Sequence, residues 1–86
     1  MTTGECGSTP RIMLIGKPGC HLCDDAREVV ARVAARVGVG WVEVSIVGNP
    51  ELMERYANDI PVVLVDGLPH DFWRVSEERL LAALTR

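Results

Sequence analysis

Lysine is all but missing from this chain: one residue, Lys17, stands against eight arginines. The basic side chains are scattered and the net charge is −3 at pH 7. Without a basic stripe or patch, nucleic acids and anionic membrane surfaces are excluded as expected partners. No apolar run approaches the roughly 18 residues that mark a membrane-spanning helix. Met1 to Pro10 has neither a basic start nor an apolar stretch, so it does not read as a signal peptide, and the expected compartment is the cytoplasm. Cysteine is scarce and odd in number, with Cys6, Cys20 and Cys23. Structural disulfides are rare in a reducing compartment, and one pair plus one spare fits redox or metal use better than a disulfide framework. Aromatics are few: Trp41, Tyr56, Phe72 and Trp73. They suit core or sheet-edge positions, with Trp73 also placed to form part of a partner surface.

What remains is an apolar fraction of 48% in 86 residues, enough for one domain with a single core. Residues 1–10, rich in Thr, Gly, Ser and Pro, are expected to form a flexible tail, and residues 11–86 the folded domain. Arg11 to Ile15 carries the unbroken apolar run Ile12 to Ile15, with branched residues, which predicts a strand buried on both faces. After turn residues Gly16 to Gly19, a helix is expected from Cys20 or His21 to Val37, with apolar residues spaced three and four apart and Gly38 as its cap. Trp41 to Val47 alternates, with Val42, Val44 and Ile46 facing one way, and predicts a half-buried strand. Asn49 is expected to cap a short helix that has Pro50 at its first position. Pro61 to Val65 predicts a buried strand, and Asp66-Gly67 a hairpin turn. The next strand, about Leu68 to Val75, contains Pro69 and belongs at a sheet edge. Ser76 caps a last helix. The order is βαβαββα, an α/β fold.

The chemistry concentrates in Lys17-Pro18-Gly19-Cys20-His21-Leu22-Cys23. Two cysteines three positions apart at a strand-to-helix junction sit side by side on the first helical turn. There the free N–H groups and the helix dipole favour a thiolate. A thiolate with a second thiol in reach makes and breaks disulfides. Cys20, nearer the helix N-terminus, is the candidate nucleophile, and Cys23, one turn on, the candidate resolving thiol. Lys17 and His21 are candidate thiolate stabilisers, while Asp24 and Asp25 oppose them. A metal site is the sharper rival: Cys20 and Cys23 with Cys6 and His21 or His70 would make four ligands for zinc, but no second ligand pair stands at regular spacing.

The Cys-x-x-Cys after the first strand, the Ile60-Pro61-Val62 that begins 37 residues after Cys23, and Val63-Leu64-Val65-Asp66-Gly67 together resemble the thioredoxin superfamily. Within it the chain is most similar to short bacterial glutaredoxin-like proteins, over Arg11 to Leu84. The resemblance implies a thioredoxin-like four-stranded mixed sheet with helices on both faces. It also implies an exposed Cys20, a more buried Cys23, a cis Pro61, and an Ile60 whose backbone pairs with a substrate strand. Two family features are absent. His21-Leu22 replaces the Pro-Tyr between the cysteines, and no Gly-Gly pair precedes the last helix, where Arg74-Val75-Ser76-Glu77 stands instead.

The expected function is a thiol–disulfide oxidoreductase that reduces protein disulfides or small-thiol mixed disulfides, working as a monomer without a bound cofactor. A low-molecular-weight thiol, or a reductase using NADPH, would restore its dithiol. The alternative is a non-enzymatic binding module on the same fold, or a carrier of zinc or an iron–sulfur cluster, since a fold alone does not establish an activity.

Overall fold

One central strand with two apolar faces organises the chain. In the computed structural model, which describes residues 10–85, the elements run β1 (Ile12–Gly16), α1 (His21–Val37), β2 (Trp41–Ser45), α2 (Pro50–Tyr56), β3 (Val62–Val65), β4 (Leu68–Phe72) and α3 (Glu77–Thr85). The expected tail falls almost wholly outside the described residues. The four strands form one sheet in the order β2-β1-β3-β4. β2 is parallel to β1, whereas β3 pairs antiparallel with β1 and β4 antiparallel with β3. This is the mixed βαβαββα sheet of the thioredoxin-like fold.

Successive residues of a strand point to opposite faces. Ile12 and Leu14 of β1, with Val63 and Val65 of β3, pack against Ala26, Val30 and Val33 of α1 and Leu80 and Leu84 of α3. Ile15, Val62 and Leu64 point the other way, toward Tyr56 of α2, Ile46 and Ile60. Helices therefore cover both faces. Val30, Val33 and Leu80 are fully buried, and each such side chain contributes about 1.5–3 kcal/mol.

The coverage is uneven. β1 was expected to be buried on both faces, but Met13 is 36% exposed. The helix on that face is only seven residues long, and its Tyr56 packs in the cluster around Ile15 while Met13 stays outside it. Across the sheet, Met13 pairs with Val42, which is exposed too because β2 is an edge strand. Of the expected inward trio, Ile46 is buried and Val44 half-buried. β2 also stops at Ser45 rather than Val47, where the Ser45 hydroxyl accepts a hydrogen bond from the Val47 N–H at 3.0 Å and turns the chain.

The helix ends obey local chemistry. Gly38 adopts the left-handed conformation and returns its N–H to the Ala34 carbonyl at 2.8 Å. The Ser76 hydroxyl accepts from the Arg79 N–H at 3.2 Å, capping α3 as expected. Asn49 does not cap α2 with its side chain. Pro50 at the first helical position brings no N–H, and the Met53 N–H closes the first turn on the Asn49 backbone carbonyl at 2.9 Å.

Val65 and Leu68 close a two-residue turn in which Asp66 and Gly67 both have positive φ. β4 was expected to reach Val75 but ends at Phe72, because Trp73 swings into the left-handed region at φ 62°. Asp71, 6% exposed, anchors the connector between β4 and α3. Its carboxylate accepts from the Phe72 N–H at 3.2 Å, the Ser76 N–H at 3.1 Å and the Arg79 guanidinium, tying the end of the strand to the start of the helix.

Candidate functional site at the N-terminus of the first helix

The antiparallel pairing of β1 with β3 brings two distant parts of the sequence to one end of the sheet. Ile15 pairs with Val62. The turn after β1 therefore lies beside the residues that precede β3, namely Ile60 and Pro61. The Ile60–Pro61 peptide bond is cis.

Cys20 is the N-cap of α1, in extended backbone with φ −100° and ψ 116°. That position normally belongs to Ser, Thr, Asp or Asn, whose side-chain oxygen satisfies a free N–H of the first turn. Here the Cys20 Sγ does so, accepting from the Cys23 N–H at 3.3 Å. Cys20 is half-buried, and Cys23 has no exposed surface. Cys23, Ile60 and Val62 share one packed cluster, with Cys20 at its margin.

Burial pushes the Cys23 thiol up to about 11, and its hydrogen bond with Cys20 adds to the rise. The Lys17 backbone N–H and the positive charge of Arg27 pull the other way. Arg27, one turn beyond Cys23, is held by both oxygens of Glu43 on β2 at 2.7 Å each and by Asp24 at 2.8 Å. The paired guanidinium in turn holds the Glu43 carboxyl below its usual range.

The Cys23 thiol makes the stability of the reduced protein depend on pH. The folded state keeps the Cys23 proton in a range where the unfolded chain has released it. Its stabilising effect is complete below about pH 9 and is lost as pH rises toward 11, by at most roughly 2–3 kcal/mol. Urea unfolding of the reduced protein between pH 8 and about 11 should show this fall. Cys23→Ala should flatten it, and an equal slope in both proteins would show that another group is responsible.

Gly16 makes room for Cys23. A Cβ placed on Gly16 would lie 2.8 Å from the Cys23 Sγ and 3.3 Å from its Cβ, so only glycine lets the sulfur rest against the end of β1. Neither Gly16 nor Arg27 stood out in the sequence as part of the site. Gly16 looked like the start of a turn, and the four-residue spacing from Cys23 was the available signal for Arg27.

Of the residues singled out in the sequence, Cys20, Cys23, Ile60 and Pro61 come together. Lys17 is exposed on the turn and His21 is exposed at the first position of α1. Lys17 reaches Cys23 through its backbone N–H, while the cation acting on that thiol is Arg27. Among the described residues, no three His, Cys, Asp or Glu side chains converge to hold a metal ion. Cys6, a candidate zinc ligand in the sequence, lies outside the described residues. No described helix is long and apolar enough to cross a membrane.

Trp73 completes this end of the sheet. Its backbone N–H donates to the Pro61 carbonyl at 2.8 Å, and its indole Nε1–H to the Asn58 carbonyl at 3.0 Å. The side chain remains 55% exposed. Its left-handed backbone costs an L-residue about 1–2 kcal/mol.

A mixed sheet of this order, with a dithiol at the start of its first helix and a cis-proline beside it, defines a glutaredoxin-like protein of the thioredoxin superfamily. A family model described as Glutaredoxin-like domain (DUF836) matches residues 11–85, and the chain belongs to that family. The uncharacterized protein Rv0508 of Mycobacterium tuberculosis is 32% identical over 84 residues, covering 92% of this chain and 87% of the relative. The X-ray structure of target protein XcR50 from X. campestris is similar with a TM-score of 0.71 and 29% identity, over 85% of this chain and 93% of that one. Oxidised thioredoxin from Plasmodium falciparum shares the fold, with a TM-score of 0.55 and 12% identity over 87% of this chain and 79% of its own. Family and fold support a redox-related function.

Proposed function

We propose that the protein is a thiol–disulfide oxidoreductase that reduces disulfides through Cys20 and Cys23. The observation that carries this reading is the Cys20 Sγ in the N-cap position, hydrogen-bonded to the first turn and in contact with the buried Cys23 thiol. In the cycle, the Cys20 thiolate attacks one sulfur of the substrate disulfide. The substrate S–S bond breaks, its second sulfur leaves as a thiolate and takes up a proton, and a Cys20–substrate mixed disulfide remains. Cys23 then loses its proton to solvent and attacks the Cys20 sulfur. The mixed disulfide breaks and releases the remaining substrate thiol. Two electrons have passed to the substrate, and the protein carries a Cys20–Cys23 disulfide. A low-molecular-weight thiol or an NADPH-dependent reductase returns the electrons.

Each residue has a part in that cycle. The high proton affinity of Cys23 keeps the resolving thiol protonated until the mixed disulfide has formed, and Arg27 stabilises the negative charge that develops as it attacks. The backbone of Ile60 lines up the substrate strand beside Cys20, as the family resemblance implies. Lys17 supplies positive charge at the exposed rim, beside the exposed His21 imidazole.

The test is to equilibrate the protein in thiol/disulfide buffers of graded potential and count free thiols by alkylation and mass. One reversible two-electron transition confined to Cys20 and Cys23 is expected, with NADPH-dependent or thiol-dependent turnover of a disulfide substrate. Two cysteines that never pair, or a stoichiometric zinc site that includes them, would sink the reading in favour of a carrier or binding module.

A further inference from the structure

Beside the dithiol, α1 and the connector from β4 to α3 enclose a narrow cleft of about 90 Å³. Leu22, Ala26 and Val29 line its α1 side, and Trp73 and Val75 the other. Leu22 lies between the two cysteines in the chain, so the α1 wall of the cleft starts in the same helical turn that carries them. Asp25 and Arg74 stand at it with opposite charges, so it offers an apolar lining and no surplus charge for an anionic small molecule. Its volume is well below the roughly 300–1,000 Å³ of small-molecule sites and suits a single aliphatic side chain.

Trp73 links this cleft to the substrate edge. It forms one wall, and its two hydrogen bonds brace the Asn58 to Pro61 segment. A bulky aromatic residue is retained at φ 62°, where Gly or Asn would be less strained. It is also left 55% exposed. Holding the backbone does not require an indole surface in solvent, but gripping an apolar group does.

We propose that Trp73 is the specificity-determining residue of the dithiol site: it braces the Ile60–Pro61 edge and, with Leu22, forms a one-side-chain cleft that selects a polypeptide disulfide with an apolar residue near its cystine. The inference rests on the oxidoreductase reading and names its substrate class. A polypeptide can lie along Ile60 and place one side chain in the cleft while its cystine meets Cys20. A small-thiol disulfide reaches Cys20 without filling the cleft. The electron balance is that of the dithiol cycle, with the polypeptide cystine as oxidant.

The experiment measures oxidation of the fully reduced chain, by thiol counting, with two oxidants: a cystine-bridged peptide carrying leucine beside the cystine, and hydroxyethyl disulfide. Trp73→Gly relieves the backbone and removes the wall. Trp73→Phe keeps an aromatic wall and loses the indole N–H. For wild type the peptide should be the preferred oxidant. In Trp73→Gly the ratio of peptide to small-disulfide rate constants should fall about tenfold or more, mainly through weaker peptide saturation, with the unfolding midpoint maintained. Trp73→Phe should recover most of that ratio. If Trp73→Gly does not fold, Leu22→Ala tests the opposite wall and should lower the same ratio. A proportional loss with both oxidants, or no loss with either, overturns the specificity role and leaves the oxidoreductase reading intact. A wild-type protein oxidised by neither compound overturns both.

Discussion

Cys20→Ser should bring disulfide reduction down to the rate without protein, whereas Cys23→Ser should halt the cycle after its first step. The two cysteines are three residues apart yet differ in burial and in their place on the helix. Cys20 is half-exposed and accepts the Cys23 N–H at the mouth of the helix. Cys23 is fully buried, with its thiol pushed up to about 11. In the proposed cycle the half-buried sulfur at the helix N-terminus starts the reaction and the fully buried one resolves it. A serine hydroxyl at position 20 cannot replace the thiolate. With Cys23→Ser, stoichiometric oxidant should give a covalent adduct through Cys20, visible as a mass increase and released by dithiothreitol. It should retain turnover only where an external thiol resolves the adduct. If Cys20→Ser forms the adduct and Cys23→Ser does not, the roles are reversed.

The positions on which these proposed roles rest were legible in the sequence because they depend on chain order. A Cys-x-x-Cys that opens an amphipathic helix puts its first cysteine at the free N–H groups whatever the rest of the fold does. The order of strands and helices was legible for a similar reason, since apolar periodicity and turn residues are local signals. Partial coverage was not. Met13 and Val42 have the composition of core residues, and their exposure comes from the length of α2 and the edge position of β2. Trp73 reads as the continuation of β4 until its left-handed backbone ends the strand. Asp71 stands in a strand pattern that gives no sign of a buried carboxylate, because its partners Ser76 and Arg79 lie beyond a turn. Pro61 could be matched through Ile60-Pro61-Val62, but its place beside Cys20 comes from the Ile15–Val62 pairing, which is long-range.

Gly16→Ala is expected to be among the most damaging substitutions, although it adds a single methyl group. Gly16 is the last residue of β1, and its carbonyl accepts the Ile46 N–H at 2.9 Å, so its backbone is fixed on the β2 side. The added Cβ would meet the Cys23 Sγ at 2.8 Å, closer than carbon and sulfur can pack. Either the sulfur moves or the start of α1 does, and overpacking of this kind costs about 1–3 kcal/mol. Both movements disturb the contact between Cys23 and Cys20, so the variant should also form the Cys20–Cys23 disulfide more slowly than wild type. A double-mutant cycle isolates the cause. Cys23→Ala removes the sulfur and leaves only the 3.3 Å contact to the Cys23 Cβ. In that background, Gly16→Ala should cost less than about 1 kcal/mol in urea unfolding. An equal cost in both backgrounds would place the damage in the β1 backbone, and Gly16 would then have no part in seating the resolving thiol.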